Sequence, residues 1–204
     1  MATTKHYRML IHEPGDLLTV AEFAQLPEDQ DGWRTELIRG VVHRMPPVKD
    51  PRHDWILFNL ATALGAYLKT SRLGGRVSLE QVGYALTPAN APGGTTVAPD
   101  LAYVVEERLP QVQHARQRKE YVQLAPDLVA EIVSPSQATE REMQERAQMW
   151  LEAGTHLVWN IWPDEQRVDV WTPDEPMRSC YIKDTLDGQD VVPEFTMAVA
   201  DLFA

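Results

Sequence analysis

Ala125-Pro-Asp-Leu-Val-Ala-Glu-Ile-Val-Ser-Pro-Ser136 is the stretch on which the reading of this chain turns. Its aliphatic and β-branched run, closed by Ser134-Pro135, has the pattern of a short buried strand. One residue, Glu131, breaks the apolar run. Upstream, Val97-Ala-Pro-Asp-Leu-Ala-Tyr-Val-Val105 holds Asp100 in the same kind of setting. An ionised carboxylate in such a strand costs on the order of several kcal/mol unless something compensates it. A divalent cation would do so, because hard cations prefer oxygen ligands. The ordinary alternative is that each acid pairs with an Arg or turns to solvent. If the two strands are neighbours, both acids reach one ion from the same sheet edge. Two carboxylates on one ion are the minimum for activating water against a phosphodiester.

Around this pair the chain reads as one domain. Its 204 residues suit a single core, and 44% hydrophobic with 24% charged residues is ordinary for a soluble globular protein. Residues 1–16 read as an N-terminal extension of less certain structure. Cys180 is the single cysteine, so no intrachain disulfide forms, which fits a reducing compartment. With no signal-like apolar segment at the start and none of membrane-spanning length, a cytoplasmic protein without a membrane partner is expected. The formal net charge is −11. Residues 162–204 carry −7 of it, ten acids against Arg167, Arg178 and Lys183. That balance argues against coating nucleic acid by bulk electrostatics, although positive charge gathered at a cleft can still serve a nuclease. The one basic run, Arg116-Gln-Arg-Lys119, reads more simply as a solvated loop or helix face.

The local signals order the elements. Thr19-Val-Ala-Glu22 is a capping box opening a helix from Val20 to about Leu26, and Thr35–Met45 reads as a hairpin turning at Arg39-Gly40. Ile56, Leu60, Ala63, Leu64 and Tyr67 line one face of a helix over about 51–69. Residues 76–86 read as a strand, and 106–124 as a loop with a helical turn. After the Glu131 strand, a second capping box, Thr139-Glu-Arg-Glu142, opens a helix that Gly154 ends. Strands at 157–162, 167–171 and 177–183 follow, and the order is that of a mixed α/β protein.

Several stretches together resemble a known family: Leu18-Thr-Val-Ala-Glu-Phe23, Thr35-Glu-Leu-Ile-Arg-Gly40, His53 at the long helix, Ala98-Pro-Asp-Leu-Ala-Tyr-Val104, the opening segment 125–136, Trp150-Leu-Glu-Ala-Gly154, Val158-Trp159 and Val192-Pro-Glu-Phe195. The chain is similar to the Uma-type family of putative restriction endonucleases, a domain of unknown function in the PD-(D/E)XK nuclease superfamily. The resemblance implies a restriction-endonuclease-like mixed central sheet flanked by helices. It also implies a Mg²⁺- or Mn²⁺-dependent endonuclease acting on DNA, with Asp100 and Glu131 as metal ligands. Glu36 matches an acid of the first strand, a third ligand or a group that orients water; alternatively it is an exposed strand residue. His53 matches a family histidine that contacts phosphate or donates to the leaving group; alternatively it is a cap or a surface residue.

The departures are as specific as the matches. Superfamily members carry Lys two residues after the second acid, where this chain has Val133. Uma-type members often place a basic residue, commonly Lys, four positions before the helix aromatic; here Arg146 precedes Trp150. Arg clamps a phosphate and balances developing charge but stays protonated and cannot act as a base. Its alternative partner is Glu142, one helical turn away. These changes leave a second function open: a nuclease-fold binding or regulatory module with weakened catalysis. Cutting duplex DNA favours a two-fold homodimer. Trp159, Trp162 and Trp171 are candidates for an apolar interface, or else fill the core.

Overall fold

The computed structural model describes residues 17–27, 33–134 and 138–204. The N-terminal extension, residues 1–16, and Pro135-Ser136 lie outside the described residues. Thr19 caps helix α1 (Val20–Phe23) through the reciprocal bonds of its capping box with Glu22. Strands β1 (Arg34–Ile38) and β2 (Val41–Met45) form the hairpin. Its two turn residues, Arg39 and Gly40, are both left-handed, with φ 50 and 81°, the geometry that matches strand twist. A Cβ on Gly40 would lie 2.6 Å from that of Leu17, so the position needs glycine on steric grounds as well. Helix α2 (Pro51–Ser71) starts at Asp50, whose carboxylate accepts the Arg52 N–H, with Pro51 in the first turn. Its buried positions, His53, Ile56, Leu57, Leu60 and Leu64, recur at helical spacing.

Two segments differ from the sequence reading. Residues 76–86 make two short strands, β3 (Arg76–Leu79) and β4 (Tyr84–Ala85), in different sheets, because the chain turns at Glu80 with φ 41°. After β5 (Thr96–Val97) and β6 (Leu101–Val104), the segment read as mostly loop holds a ten-residue helix, α3 (Leu109–Arg118). Pro110 at its start and the buried Leu109 and Ala115 support a helix that polar composition hides. The basic run forms the exposed end of α3, with Arg118 bonded to Glu120 at 2.9 Å, so it is a solvated helix face.

Strand β7 (Leu128–Ile132), helix α4 (Glu140–Glu152) and strand β8 (Leu157–Trp162) make a parallel βαβ unit. Thr139 caps α4 through the second capping box, and Gly154, at φ 105°, follows its end. Strands β9 (Arg167–Trp171), β10 (Arg178–Tyr181), β11 (Thr185–Asp187) and β12 (Thr196–Ala198) and helix α5 (Val199–Leu202) complete the chain. The main sheet has the order β10-β9-β8-β7-β6-β3, antiparallel except at β7–β8. A second sheet, β2-β1-β5-β4, carries the hairpin. This is the α/β class, a mixed central sheet flanked by helices.

The main sheet is apolar on both faces. Ile56, Leu60 and Leu64 of α2 pack with Leu128, Leu157 and Ile161 on one side. Ala147 and Trp150 of α4 pack with Val129 and Val158 on the other. Each fully buried Leu or Ile contributes about 1.5–3 kcal/mol. Of the three tryptophans considered for an interface, Trp159 stacks on Phe195 inside the first core, Trp162 is buried beside Met143, and Trp171 packs against the second core. They fill the interior instead. Among the described residues, no helix is long and apolar enough to cross a membrane.

Candidate active site

Strand register brings the two acids of the opening runs together. Leu101 of β6 pairs with Ala130 of β7, so the next step of the antiparallel register sets Asp100 across from Glu131. Asp100 Oδ2 accepts the backbone N–H of Ile132 at 2.7 Å, which fixes its carboxylate against β7. Asp100 and Glu131 are 3% and 5% exposed, so neither turns to solvent.

The face of β7 that carries Glu131 looks toward α4. Trp150 Nε1 and Arg146 Nε both donate to Glu131 Oε1, at 2.9 and 2.7 Å. The remaining arms of Arg146 reach Glu36 on β1, Nη1 to Oε2 at 2.8 Å and Nη2 to Oε1 at 2.9 Å. Glu36 is buried and also accepts the Ala98 N–H at 3.0 Å; it is not an exposed strand residue. Glu142, the local partner considered for Arg146, is engaged with Thr139 in the capping box. A single guanidinium thus joins two acids, one from each large sheet.

The two acids respond differently to this sharing. Burial pushes Glu131 up to about 7, against the Arg146 charge, and the neighbouring Asp100 and Glu36 charges add to the rise. Burial opposes ionisation of Glu36 as well, but the Arg146 charge and bonds outweigh it and hold that carboxyl below its usual range. Glu36 is therefore the fixed anion of the pair. Glu131 is the acid of the pair that burial holds nearest to neutral pH.

His53, in the first turn of α2, is 4% exposed and is neither a cap nor a surface residue. Its Nε2 lies 3.3 Å from Asp100 Oδ1, but off the line of a hydrogen bond. Both ring nitrogens and Asp100 Oδ1 are buried without a hydrogen-bond partner. Burial favours the neutral imidazole, and the Asp100 charge overrides it, raising the His53 pKa. Asp100 shows the converse: burial opposes its charge, while His53 and the Ile132 N–H hold its carboxyl low. Arg34 approaches the same Oδ1, at 3.6 Å. The other ring nitrogen, Nδ1, lies 3.8 Å from Glu80 and 3.6 Å from the exposed Asp54. Sequence reasoning passed over Glu80, since an acid inside an apparently continuous strand looks like an outward-facing residue. The turn after β3 that brings it to His53 begins at Glu80 itself, a residue type that does not mark turns.

One end of the main sheet therefore collects Glu36, Asp100, Glu131, Arg146 and His53, with Glu80 and Arg34 beside them. Unsatisfied buried oxygen and nitrogen atoms suit a cation, and a guanidinium with spare N–H groups suits an anion. A family model, Uma2, described as "Putative restriction endonuclease", matches residues 20–200. Among solved structures, the chain is similar to a putative nuclease belonging to DUF820 from Anabaena variabilis. That likeness has a TM-score of 0.72 at 24% identity and covers 91% of this chain and 97% of that chain, a likeness of fold. Comparison with curated proteins finds no match.

Proposed function

Since this chain belongs to the Uma2 family, we propose that it is a metal-dependent DNA endonuclease that hydrolyses phosphodiester bonds. The observation that carries this reading is the juxtaposition of Asp100 and Glu131 across β6 and β7, with buried Asp100 Oδ1 lacking a hydrogen-bond partner. Asp100 and Glu131 would hold the ion, Mg²⁺ or Mn²⁺, since both present carboxylate oxygens. When bound, such an ion supplies activation of water and neutralisation of charge at the phosphate.

The protein's own groups do the rest. Arg146 uses three of its five N–H donors on Glu36 and Glu131, which leaves two to meet a phosphate oxygen. Glu36 holds the guanidinium in place, the positioning task that a bidentate pair performs well. His53 sits behind Asp100 and acts on that carboxylate rather than on the leaving group. The buried, unpaired Cys180 suits work in the cytoplasm. Cutting both strands of a duplex calls for two such sites, so a two-fold homodimer belongs to this reading. Trp55 and Phe58 on α2, 60% and 69% exposed, supply its apolar surface.

Relaxation of supercoiled plasmid in Mn²⁺ or Mg²⁺ tests the proposal: the wild type nicks DNA, while Asp100→Asn and Glu131→Gln do not. A specific observation favours a second reading. Arg146 already compensates Glu131, as in a site that binds nucleic acid without cutting it. Retarded plasmid fragments in a gel-shift assay, with no cleavage in either metal, would establish that binding module and end the nuclease reading.

A further inference from the structure

We infer that Arg34 is a phosphate-contacting residue of this site, a second cation that grips the phosphate under attack from the solvent side. Its part in cutting rests on the nuclease reading; its contact with a nucleic-acid phosphate does not. Arg34 opens β1, two residues before Glu36, so strand alternation puts both side chains on one face. That face meets the end of the main sheet. Glu36 reaches Arg146 of α4 there, and Arg34 Nη1 lies 3.6 Å from Asp100 Oδ1. At that distance the two charges attract without forming a hydrogen bond. Among the described residues the Arg34 guanidinium makes no hydrogen bond, so its five N–H donors are all unused.

The two guanidinium groups of the site differ in this respect. Arg146 is 17% exposed and already uses three donors on Glu131 and Glu36. Arg34 is 35% exposed, so an anion arriving from water can meet it with no bond to break. A residue whose task was to neutralise Asp100 would close on it, since charged N–H···O pairs settle at about 2.7–2.9 Å. Arg34 stands well outside that range, while Asp100 Oδ2 is satisfied by the Ile132 N–H. The planar guanidinium fork matches two phosphate oxygens. In the hydrolysis, a water oxygen bonds to phosphorus, the bond to the leaving oxygen breaks, and one water proton ends on that oxygen. Arg34 stays protonated throughout and moves no proton. Its work is to offset the negative charge that gathers on the phosphate oxygens.

The test uses the full chain with Arg34→Ala and Arg34→Lys. Arg34 is partly exposed at the start of a strand, and the lysine variant keeps both charge and stem, so a folded comparison is assured. Anisotropy of a fluorescein-labelled DNA duplex, without divalent metal, reads binding. Arg34→Ala should lower the slope of log affinity against log salt by about one, and Arg34→Lys should preserve it. Single-turnover nicking of supercoiled plasmid in Mn²⁺ reads cutting. Arg34→Ala should slow it roughly a hundredfold, and Arg34→Lys less. Guanidinium ion added below denaturing concentration should restore part of the alanine variant's rate and leave the wild type unchanged. A residue that acts through Asp100 alone would leave the salt slope untouched. An unchanged slope in Arg34→Ala, or cutting by that variant at the wild-type rate, overturns the inference. A wild type that shows the slope difference but never cuts loses the nuclease reading and keeps the Arg34 contact. One that cuts, with slope and rate equal in Arg34→Ala, keeps the nuclease reading and loses Arg34. A wild type that neither binds nor cuts DNA loses both.

Discussion

Replacing Arg146 by alanine removes one guanidinium and three hydrogen bonds, at 2.7, 2.8 and 2.9 Å, to Glu131 and Glu36. The two acids are 5% and 3% exposed, so water is poorly placed to substitute. Breaking a buried ion pair from one side costs about 3–5 kcal/mol. The lower end applies, because Glu131, already pushed up to about 7, takes a proton once the Arg146 charge has gone. The expected loss is therefore about 3 kcal/mol at about pH 8, a large share of a domain's usual stability. With a urea dependence of roughly 2–3 kcal/mol per molar, the unfolding midpoint falls by about 1 M. The sign of the pH effect follows from the two acids. In the wild type, Glu36 is held below its ordinary range, so its pairing stabilises the fold above the unfolded pKa and is lost as pH falls through the folded one. In the variant, both acids titrate above their unfolded values, so the penalty is absent at low pH and grows as pH rises. The gap between wild type and variant must shrink from about pH 8 to about pH 5. Tryptophan fluorescence in urea reads this directly, since Trp150 bonds the same Glu131 oxygen. A midpoint shift under about 0.3 M at the higher pH, or equal shifts at both, would refute the reasoning.

Thr139→Ala deletes the cap of α4, the helix that carries Arg146, and should lower stability by about 1 kcal/mol, or roughly 2–4 °C in Tm by calorimetry. An unchanged Tm would mean that the capping box contributes nothing to holding the helix. Light scattering at micromolar concentration should give twice the 23.1 kDa chain mass, and Trp55→Glu with Phe58→Glu should halve it. A wild type of single-chain mass would remove the dimer.

Much of this fold is written locally. The capping boxes at Thr19 and Thr139 each need only four residues, and the Arg39-Gly40 turn only two, so periodicity and turn chemistry find them. The apolar runs around Asp100 and Glu131 name themselves as buried strands because a two-sided sheet leaves no polar alternation. What was not legible depends on tertiary contact. Nothing near Arg146 says that it passes over Glu142 for Glu36, since the choice is made by another sheet. The split between β3 and β4 turns at Glu80, while the sequence signal in that segment is Gly83, next to β4, where a Cβ would lie 2.6 Å from Tyr121; a single Gly in an apolar run reads as a bulge and leaves Glu80 unmarked. Helix α3 was hidden by its polarity, because Leu109 and Ala115 are its buried residues, with Val112 half-buried against the same core.

The bond between Arg146 and Glu36 spans 110 residues. As the chain leaves the ribosome, Glu36, Asp100 and Glu131 all emerge before the residue that neutralises two of them. Burying Glu36 as an anion without that guanidinium is uphill, so the sheet ends that carry Glu36 and Glu131 stay apart until α4 arrives. Long-range closures of this kind slow folding, since loop entropy is lost before the contact forms. A partly made or proteolytically shortened chain ending before residue 146 lacks the guanidinium that joins Glu36 to Glu131, so the two sheets stay unlinked at that point until α4 is in place.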